Sequence, residues 1–143
     1  MATLADAGAL VALLDRRQDS HREVADAAKA LTGDLVTTCA AFTEAMYLVG
    51  RVLGHAGQER LWRLRARGTL EVAELAGWDR SEELMHQYQD APMALADATL
   101  VAMAEARGVD TILTLDSHFR AYRFRRGRTL KAFRVLPAAS SGR

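Results

Sequence analysis

The stretch LADATLVAMAEARGVDTILTLDSHF, residues 95–119, contains a helix followed by a strand. Apolar residues recur at helical spacing over 93–107 after Pro92, and Gly108 supplies the left-handed residue with which many helices end. The run from Asp110 to Asp116 is apolar and β-branched with no charge inside it, which is typical of a strand buried on both faces. A helix leading into such a strand favours a parallel α/β sheet.

The rest of the chain repeats this alternation of short apolar runs and longer segments of helical period. A capping box is predicted at the second helix, where Ser20 precedes Glu23 by three residues. The expected fold is α/β, with a parallel sheet covered on both faces by helices. The predicted strands are 3–6, 34–38, 69–75, 110–116 and 131–136, and the predicted helices are 8–15, 20–31, 40–53, 57–68, 79–90 and 93–107.

Length and composition restrict the class of protein. The 143 residues suit one domain, which we place at 1–137, with a flexible tail at 138–143. Half of the residues are hydrophobic and the net charge is only +1, so the composition is globular and does not by itself indicate a nucleic-acid binder. The single cysteine, Cys39, excludes an internal disulfide and a multi-cysteine zinc site. With no signal peptide or membrane span evident, we expect a cytoplasmic protein without a membrane partner.

Four acidic residues are candidates for a ligand site at the carboxyl end of the predicted parallel sheet. Asp6 and Asp116 end predicted strands, and Asp97 lies in the first turn of a predicted helix. Ligands of open α/β sheets gather beyond the carboxyl ends of the strands. Glu44 is the only charge in an otherwise apolar stretch of helix, so we expect its side chain to be at least half buried.

Each acid, taken alone, also has a structural explanation. Asp97 could favour its helix through the helix dipole, Asp6 and Asp116 could be turn or cap residues, and Glu44 could pair with an arginine. Together, however, carboxylates brought close in a partly buried site repel one another, and such a cluster persists only if protons or cations neutralise it. An all-oxygen set favours a hard cation, Mg²⁺ or Mn²⁺.

Three segments carry a resemblance to a known family: LADAGALVALLDRRQDSH from residue 4, TTCAAFTEAMYLV from residue 37, and YQDAPMALADATLVAMAEARGVDTILTLDSHF from residue 88. Together they resemble the PIN-domain family and, within it, the VapC-type toxins of bacterial toxin–antitoxin pairs. The resemblance implies a three-layer α/β/α sandwich with a central parallel sheet. It also implies a Mg²⁺- or Mn²⁺-dependent endoribonuclease that hydrolyses single-stranded RNA, such as a transfer RNA or ribosomal RNA loop, to 5′-phosphate and 3′-hydroxyl products. A small antitoxin and a second copy of the chain are the implied partners.

The resemblance matches the four acids, in chain order, to the family's four acidic positions. It implies that Asp6, Asp97 and Asp116 bind metal directly or through water, and that Glu44 orients water or acts as a general base. One position departs, because relatives often have a further aspartate where this chain has Ala94, one helical turn before Asp97. The alternative is therefore a catalytically weakened or inactive protein, through a natural or an engineered change, that only binds RNA or a partner.

A basic segment directly after Asp116 is the candidate RNA contact. The sequence FRAYRFRRGR, residues 119–128, sets five arginines among aromatic residues. Arginine binds phosphate bidentately, and guanidinium and aromatic planes stack on unpaired bases. Many relatives have another acid at the position of His118, which either faces solvent or contacts phosphate. The alternative to RNA binding for the arginines is that they form a solvated loop or an antitoxin-docking surface. The predicted RNA-binding residues are His118, Arg120, Arg123, Arg125, Arg126 and Arg128.

Overall fold

The computed structural model describes residues 1–74 and 77–138, and a five-stranded parallel sheet forms its centre. Residue 75 of the third predicted strand and residues 139–143 of the predicted tail lie outside the described residues. The strands are β1 (Thr3–Ala5), β2 (Leu35–Thr38), β3 (Leu70–Ala73), β4 (Thr111–Leu113), β5 (Arg123–Arg126), β6 (Thr129–Ala132) and β7 (Arg134–Leu136). The sheet order is β3-β2-β1-β4-β7, so the first strand of the chain lies in the middle of the sheet.

In the part of the chain that the structure describes, five helices cover the two faces of this sheet. They are α1 (Ala7–Leu14), α2 (His21–Lys29), α3 (Cys39–Ala66), α4 (Trp78–Gln87) and α5 (Leu95–Arg107). Alternate strand residues point to opposite faces: Leu4 and Ile112 pack in one core with α5, whereas Ala5 and Leu113 pack in a second core with α1 and α3. These two cores confirm the predicted α/β/α sandwich. Within the described ranges, none of the helices is both long and apolar enough to cross a membrane.

Helix α3 is a helical hairpin rather than one straight rod. Gly54 has a backbone φ of 67°, outside the helical range, and breaks the element into arms at 39–53 and 55–66. The two arms pack against each other. The rings of Phe42 and Trp62 lie 5.3 Å apart, and Gln58 Nε2 donates to the Met46 carbonyl. The two arms confirm the two helices predicted for this region.

The region after β4 differs most from the prediction. The prediction of a single strand at 131–136 is wrong. Residues 129–132 pair antiparallel with β5 in a separate two-stranded ribbon, and only β7 joins the main sheet. The buried rings of Phe124 and Phe133, 4.9 Å apart, hold this ribbon to the body. Gly127, with a φ of 62°, provides the tight turn between the strands. The arginine-rich segment is therefore largely β-ribbon and not loop.

The predicted capping box at α2 is also wrong. Ser20 is the N-cap residue of α2, as predicted. Its backbone is already helical (φ −83°, ψ −3°), however, and its hydroxyl makes no capping hydrogen bond. A side-chain cap needs an extended backbone at this residue, so that the oxygen can reach the free N–H groups of the first turn.

Candidate metal centre

Three carboxylates converge at the carboxyl end of the sheet. Asp6 follows β1, Asp116 follows β4 and precedes the short 3-10 helix Ser117–Arg120, and Asp97 lies in the first turn of α5. Because β1 and β4 are paired neighbours, the residues that follow them are delivered to the same edge. One oxygen from each of the three carboxylates lies within 4.8 Å of the others. The convergence expected for these three residues is thus present.

Asp6 is buried and held by hydrogen bonds to both of its carboxylate oxygens. It is the N-cap of α1, and its Oδ1 accepts from the Ala7 N–H at 2.7 Å. Its Oδ2 accepts from the hydroxyl of Thr114 at 2.7 Å. The carboxylate therefore has a fixed orientation before any ligand arrives.

Thr114 connects two of the three acids and was missed by the sequence reasoning. Its hydroxyl donates to Asp6 and accepts from the backbone N–H of Asp116 at 3.0 Å. The side chain is buried. The available signal was a hydroxyl residue at the end of an apolar strand, two residues before an aspartate.

Asp97 is held by the backbone at the start of α5. Its Oδ2 accepts from the Ala94 N–H at 3.0 Å, which is half of a capping box, because Ala94 has no side-chain acceptor to complete it. The preceding segment is fixed by Tyr122, a fully buried residue whose hydroxyl donates to the Pro92 carbonyl at 2.7 Å. Tyr122, too, was not identified from the sequence.

Burial and mutual repulsion raise the pKa values of Asp6 and Asp97. Burial, with a smaller contribution from the negative charges of Asp6, Asp116 and Glu44, raises the pKa of Asp97 to about 6, against the lowering effect of the hydrogen bond from the Ala94 N–H. Burial also raises the pKa of Asp6, partly offset by its hydrogen bonds with Thr114 and Ala7. Both shifts express the cost of placing negative charges together in a partly buried space. A cation would remove that cost.

Glu44 lies near the three acids without joining their cluster. Partial burial and the charges of Asp6 and Asp116 raise the pKa of Glu44, so it is within electrostatic reach of both. Its side chain is nevertheless exposed, and the expected degree of burial is wrong. The apolar residues around Glu44, such as Phe42, Ala45 and Val49, pack into the core. Glu44 lies on the face of α3 that is turned to solvent.

His118 contacts Asp116. The His118 backbone N–H and ring Nδ1 both lie within hydrogen-bond distance of Asp116 Oδ1, at 2.9 and 2.7 Å, and the ring stacks against Tyr122 at 6.3 Å. The side chain is about half exposed. Asp116 Oδ2 makes no hydrogen bond among the described residues, so it is the oxygen available to a ligand.

The five predicted arginines do not surround the acids. Arg120 lines a cavity of about 280 Å³ together with Asp116 and Thr114. The ribbon instead runs along α5 away from the cluster: the Arg125 N–H donates to Glu105, and Arg126 Nη2 donates to the Gly108 carbonyl. Arg120 thus shares a cavity with one of the three acids, Asp116, whereas Arg125 and Arg126 lie toward the C-terminal end of α5.

Replacing Ala94 by Ser or by Asp separates a capping effect from a charge effect. Ala94 has the extended backbone of an N-cap (φ −75°, ψ 161°) without an acceptor. Ala94→Ser is expected to stabilise the metal-free protein by about 1 kcal/mol in urea unfolding, and Ala94→Asp by less, because its charge adds to the repulsion around Asp97. We expect tighter Mn²⁺ binding, measured by calorimetry, for Ala94→Asp only. Equal affinities for the two variants would mean that a carboxylate at 94 does not reach the cation.

The chain is similar to known proteins over most of its length. A family model described as PIN domain matches residues 3–125. Ribonuclease VapC26 of Mycobacterium tuberculosis is 31% identical over 121 residues, which span 82% of this chain and 90% of that protein. Two solved structures share the fold. The sarcin-ricin loop cleaving toxin VapC20 of Mycobacterium tuberculosis has a TM-score of 0.75 at 18% identity, covering 85% of this chain and 94% of VapC20. VapBC2 from Rickettsia felis, bound to a DNA fragment from its promoter, has a TM-score of 0.64 at 15% identity, covering 94% and 97%.

Proposed function

This chain belongs to the PIN-domain family, to its VapC type, and on that premise we propose that it is a divalent-metal-dependent endoribonuclease and the toxin of a toxin–antitoxin pair. The proposed reaction is hydrolysis of phosphodiester bonds in single-stranded RNA, leaving 5′-phosphate and 3′-hydroxyl ends. The observation that carries the proposal is the convergence of carboxylate oxygens from Asp6, Asp97 and Asp116 within 4.8 Å.

The donor set fits Mg²⁺ or Mn²⁺. It is made of carboxylate oxygens, which hard cations prefer, and a cation would relieve the burial and mutual repulsion that raise the pKa values of Asp6 and Asp97. Asp6, Asp97 and Asp116 would hold the ion. When bound, it would make water more acidic and offset the charge that develops on the phosphate oxygens.

The chain's own residues keep the donor oxygens in place. Thr114 holds Asp6 from the side opposite the Ala7 N–H and fixes the backbone of Asp116 as well. Hydrogen bonds of this kind orient ligand carboxylates and are as much part of a site as the ligands themselves. The His118 ring Nδ1 lies within hydrogen-bond distance of Asp116 Oδ1, and Oδ2, which makes no hydrogen bond among the described residues, would be the oxygen available to the ion.

Glu44 is assigned the task of orienting the attacking water or of accepting its proton. The raised pKa of Glu44 makes the carboxylate a better proton acceptor than an ordinary glutamate. Its exposure suits this task, because water and RNA must both reach it, whereas a metal ligand would be expected inside the cluster.

A small antitoxin and a second copy of this chain are the proposed protein partners, and the cytoplasm is the proposed compartment. The support for an antitoxin is that solved relatives of the same fold include VapBC2 from Rickettsia felis and a toxin–antitoxin complex from Klebsiella pneumoniae. The RNA target is proposed only as a class, single-stranded segments, since loop shape decides which RNA a nuclease selects.

Cleavage of a labelled single-stranded RNA with Mn²⁺, with Mg²⁺ and with a chelator tests the proposal. We expect cleavage with either ion, complete loss of cleavage with the chelator, and a rise in melting temperature when Mn²⁺ is added to the free protein. RNA binding without cleavage under every condition would support the inactive, binding-only alternative. Cleavage that persists in the chelator would refute the metal-dependent mechanism.

A further inference from the structure

Two buried threonine hydroxyls connect the helix that carries Asp97 with the start of the helix that carries Glu44. Thr38 ends β2 and is the N-cap of α3, and Thr99 lies in α5, two residues after Asp97. Their Oγ1 atoms are 2.8 Å apart, and the two residues are only 1% and 2% exposed. Within the described part of the chain, no other side-chain hydrogen bond joins α5 to α3 or to its N-cap. We call this pair the threonine link.

The direction of each hydrogen bond in the threonine link follows from the number of hydrogens available. Thr99 donates its single hydroxyl hydrogen to the Ala96 carbonyl at 2.7 Å, so toward Thr38 it can only accept. Thr38 therefore donates to Thr99, and its oxygen accepts from the Ala41 N–H at 3.2 Å. The result is an unbroken series of hydrogen bonds from the first turn of α3 to the first turn of α5.

Packing alone does not require hydroxyl groups at these positions. The chain neighbours of Thr99, Ala98 and Leu100, belong to the apolar core. Replacing two buried hydrogen-bond partners by apolar groups of the same shape is often nearly neutral for stability. A fully satisfied buried polar network, in contrast, fixes one arrangement of the elements that it joins. The threonine link thus favours one placement of the start of α3 relative to α5.

The threonine link lies at the edge of the sheet that holds the acids. Thr38 ends β2, which is paired with β1, the strand that Asp6 follows. The carbonyl on which the link ends belongs to Ala96, the residue before Asp97. Glu44 lies in the second turn of α3, and its negative charge contributes to the raised pKa of Asp97, so these two carboxylates are within electrostatic reach of each other. A shift of the start of α3 would therefore change the position of Glu44 relative to Asp97.

We propose that Thr38 and Thr99 are positioning residues, whose hydroxyl link sets the distance between Glu44 and Asp97 and thereby the place of the attacking water relative to the ion. This inference rests on the proposed nuclease function and extends it to two residues that touch neither ion nor RNA in that mechanism. Thr114 orients the other two acids in a similar way, through hydrogen bonds to Asp6 and to the backbone of Asp116.

Thr99→Val removes the acceptor of the Thr38 hydroxyl and keeps the shape of the side chain. The Ala96 carbonyl retains its bond within α5, so the loosened element is the start of α3, where Thr38 is left with a buried donor and no acceptor. Cleavage of labelled single-stranded RNA with Mn²⁺ is expected to lose about 10- to 100-fold in kcat, because a small misplacement at the reacting atoms has effects of that size. KM and the Mn²⁺ affinity measured by calorimetry should stay close to wild type, because Asp97 keeps its bond from the Ala94 N–H.

Two variants separate the hydroxyl of Thr99 from its packing. Thr99→Ser keeps the hydroxyl and should restore most of the kcat that valine loses. Thr111→Val is the matched control, because Thr111 is a buried threonine at the amino end of β4 whose hydroxyl donates to its neighbour Asp110. This variant should keep the wild-type kcat.

A double-mutant cycle with Glu44→Gln shows whether Thr99 acts through Glu44. In the Glu44→Gln background, Thr99→Val should cost little further kcat, because the group that the threonine link positions has already been removed. The inference is overturned if Thr99→Val has the kcat of wild type, if it loses the same factor in both backgrounds, or if serine is as impaired as valine.

Amide hydrogen exchange in a chelator tests the threonine link without any cleavage. The Ala41 N–H donates to Thr38, so its exchange should be faster in Thr99→Val than in wild type, and unchanged in Thr99→Ser and Thr111→Val. If no form of the protein cleaves RNA, the nuclease function fails. Exchange then still decides the link: unchanged exchange at Ala41 overturns it, and faster exchange supports its placement of α3.

Discussion

Asp97→Asn is expected to lose RNA cleavage by at least about a thousandfold, because removal of a metal ligand costs several kcal/mol of transition-state stabilisation and each 1.36 kcal/mol is tenfold in rate. The same substitution is expected to stabilise the metal-free protein. Asparagine keeps the side-chain oxygen that accepts from the Ala94 N–H, so the start of α5 is preserved. It removes one of the negative charges that repel each other at the cluster.

The stabilisation should depend on pH in a defined direction. The folded-state pKa of Asp97, about 6, is above its ordinary value of 3.8, so the folded protein holds this proton more tightly than the unfolded chain. Below about pH 4 the carboxyl is protonated in both states and costs nothing; between about pH 4 and pH 6 the wild-type protein loses stability, and above that the loss is complete. Asp97→Asn avoids this loss. We expect an advantage of about 1–2 kcal/mol at neutral pH, after allowing for solvent screening, and none near pH 4.

Urea unfolding in a chelator at the two pH values measures this advantage, and labelled RNA with Mn²⁺ measures the activity. Asp90→Asn is the matched control, since Asp90 is an exposed acid in the segment before α5 and outside the cluster. It should change neither quantity. Addition of Mn²⁺ should stabilise the wild-type protein and Asp90→Asn but hardly affect Asp97→Asn. A variant that is both inactive and destabilised at neutral pH would contradict the view that Asp97 is placed for cation binding at a cost to the fold.

Thr114→Val is expected to reduce cleavage by about 10- to 100-fold although Thr114 touches neither RNA nor metal in the proposed mechanism. Valine keeps the shape of the side chain and removes the hydroxyl that donates to Asp6 and accepts from the Asp116 N–H. Both acids then lose a fixed orientation. Because the effect acts through the ligands, Mn²⁺ affinity measured by calorimetry should fall by a similar factor.

Thr114→Ser is the control that separates positioning from packing. Serine keeps the hydroxyl and loses the methyl group, so it should retain most of the Mn²⁺ affinity and of the activity. If valine were as active as wild type, or if serine were as impaired as valine, the hydroxyl would have no part in holding the acids. Melting temperatures of both variants show whether any loss of activity comes from unfolding.

The site acids could be predicted from the sequence because their signal is local. Asp6 and Asp116 each follow a short apolar run, Asp97 starts an apolar helix, and topology then requires the ends of paired strands to meet. The α/β alternation was readable for the same reason. Where the run is buried on both faces, as in β4, its start was close, but the strand ends at Leu113, three residues before the predicted end.

The remaining features depend on partners that are far away in the chain. Thr114 acquires its role only when its hydroxyl meets Asp6, and Tyr122 only when its hydroxyl meets the Pro92 carbonyl. The exposure of Glu44 depends on which face of α3 packs inward. The ribbon escaped prediction because β6 is only four residues long and exposed along its whole length, which is too short for its alternation to mark a strand.

During translation, the edge of β1 that faces β4 stays unpaired until β4 has been made, because Leu4 pairs with Ile112. The last of the three carboxylates, Asp116, is made later still. A growing polypeptide therefore cannot assemble the three acids until Asp116 has emerged, even though domains begin to fold as they leave the ribosome. An unfinished chain that is tethered beside ribosomal RNA therefore lacks the set of carboxylates that the proposed mechanism requires.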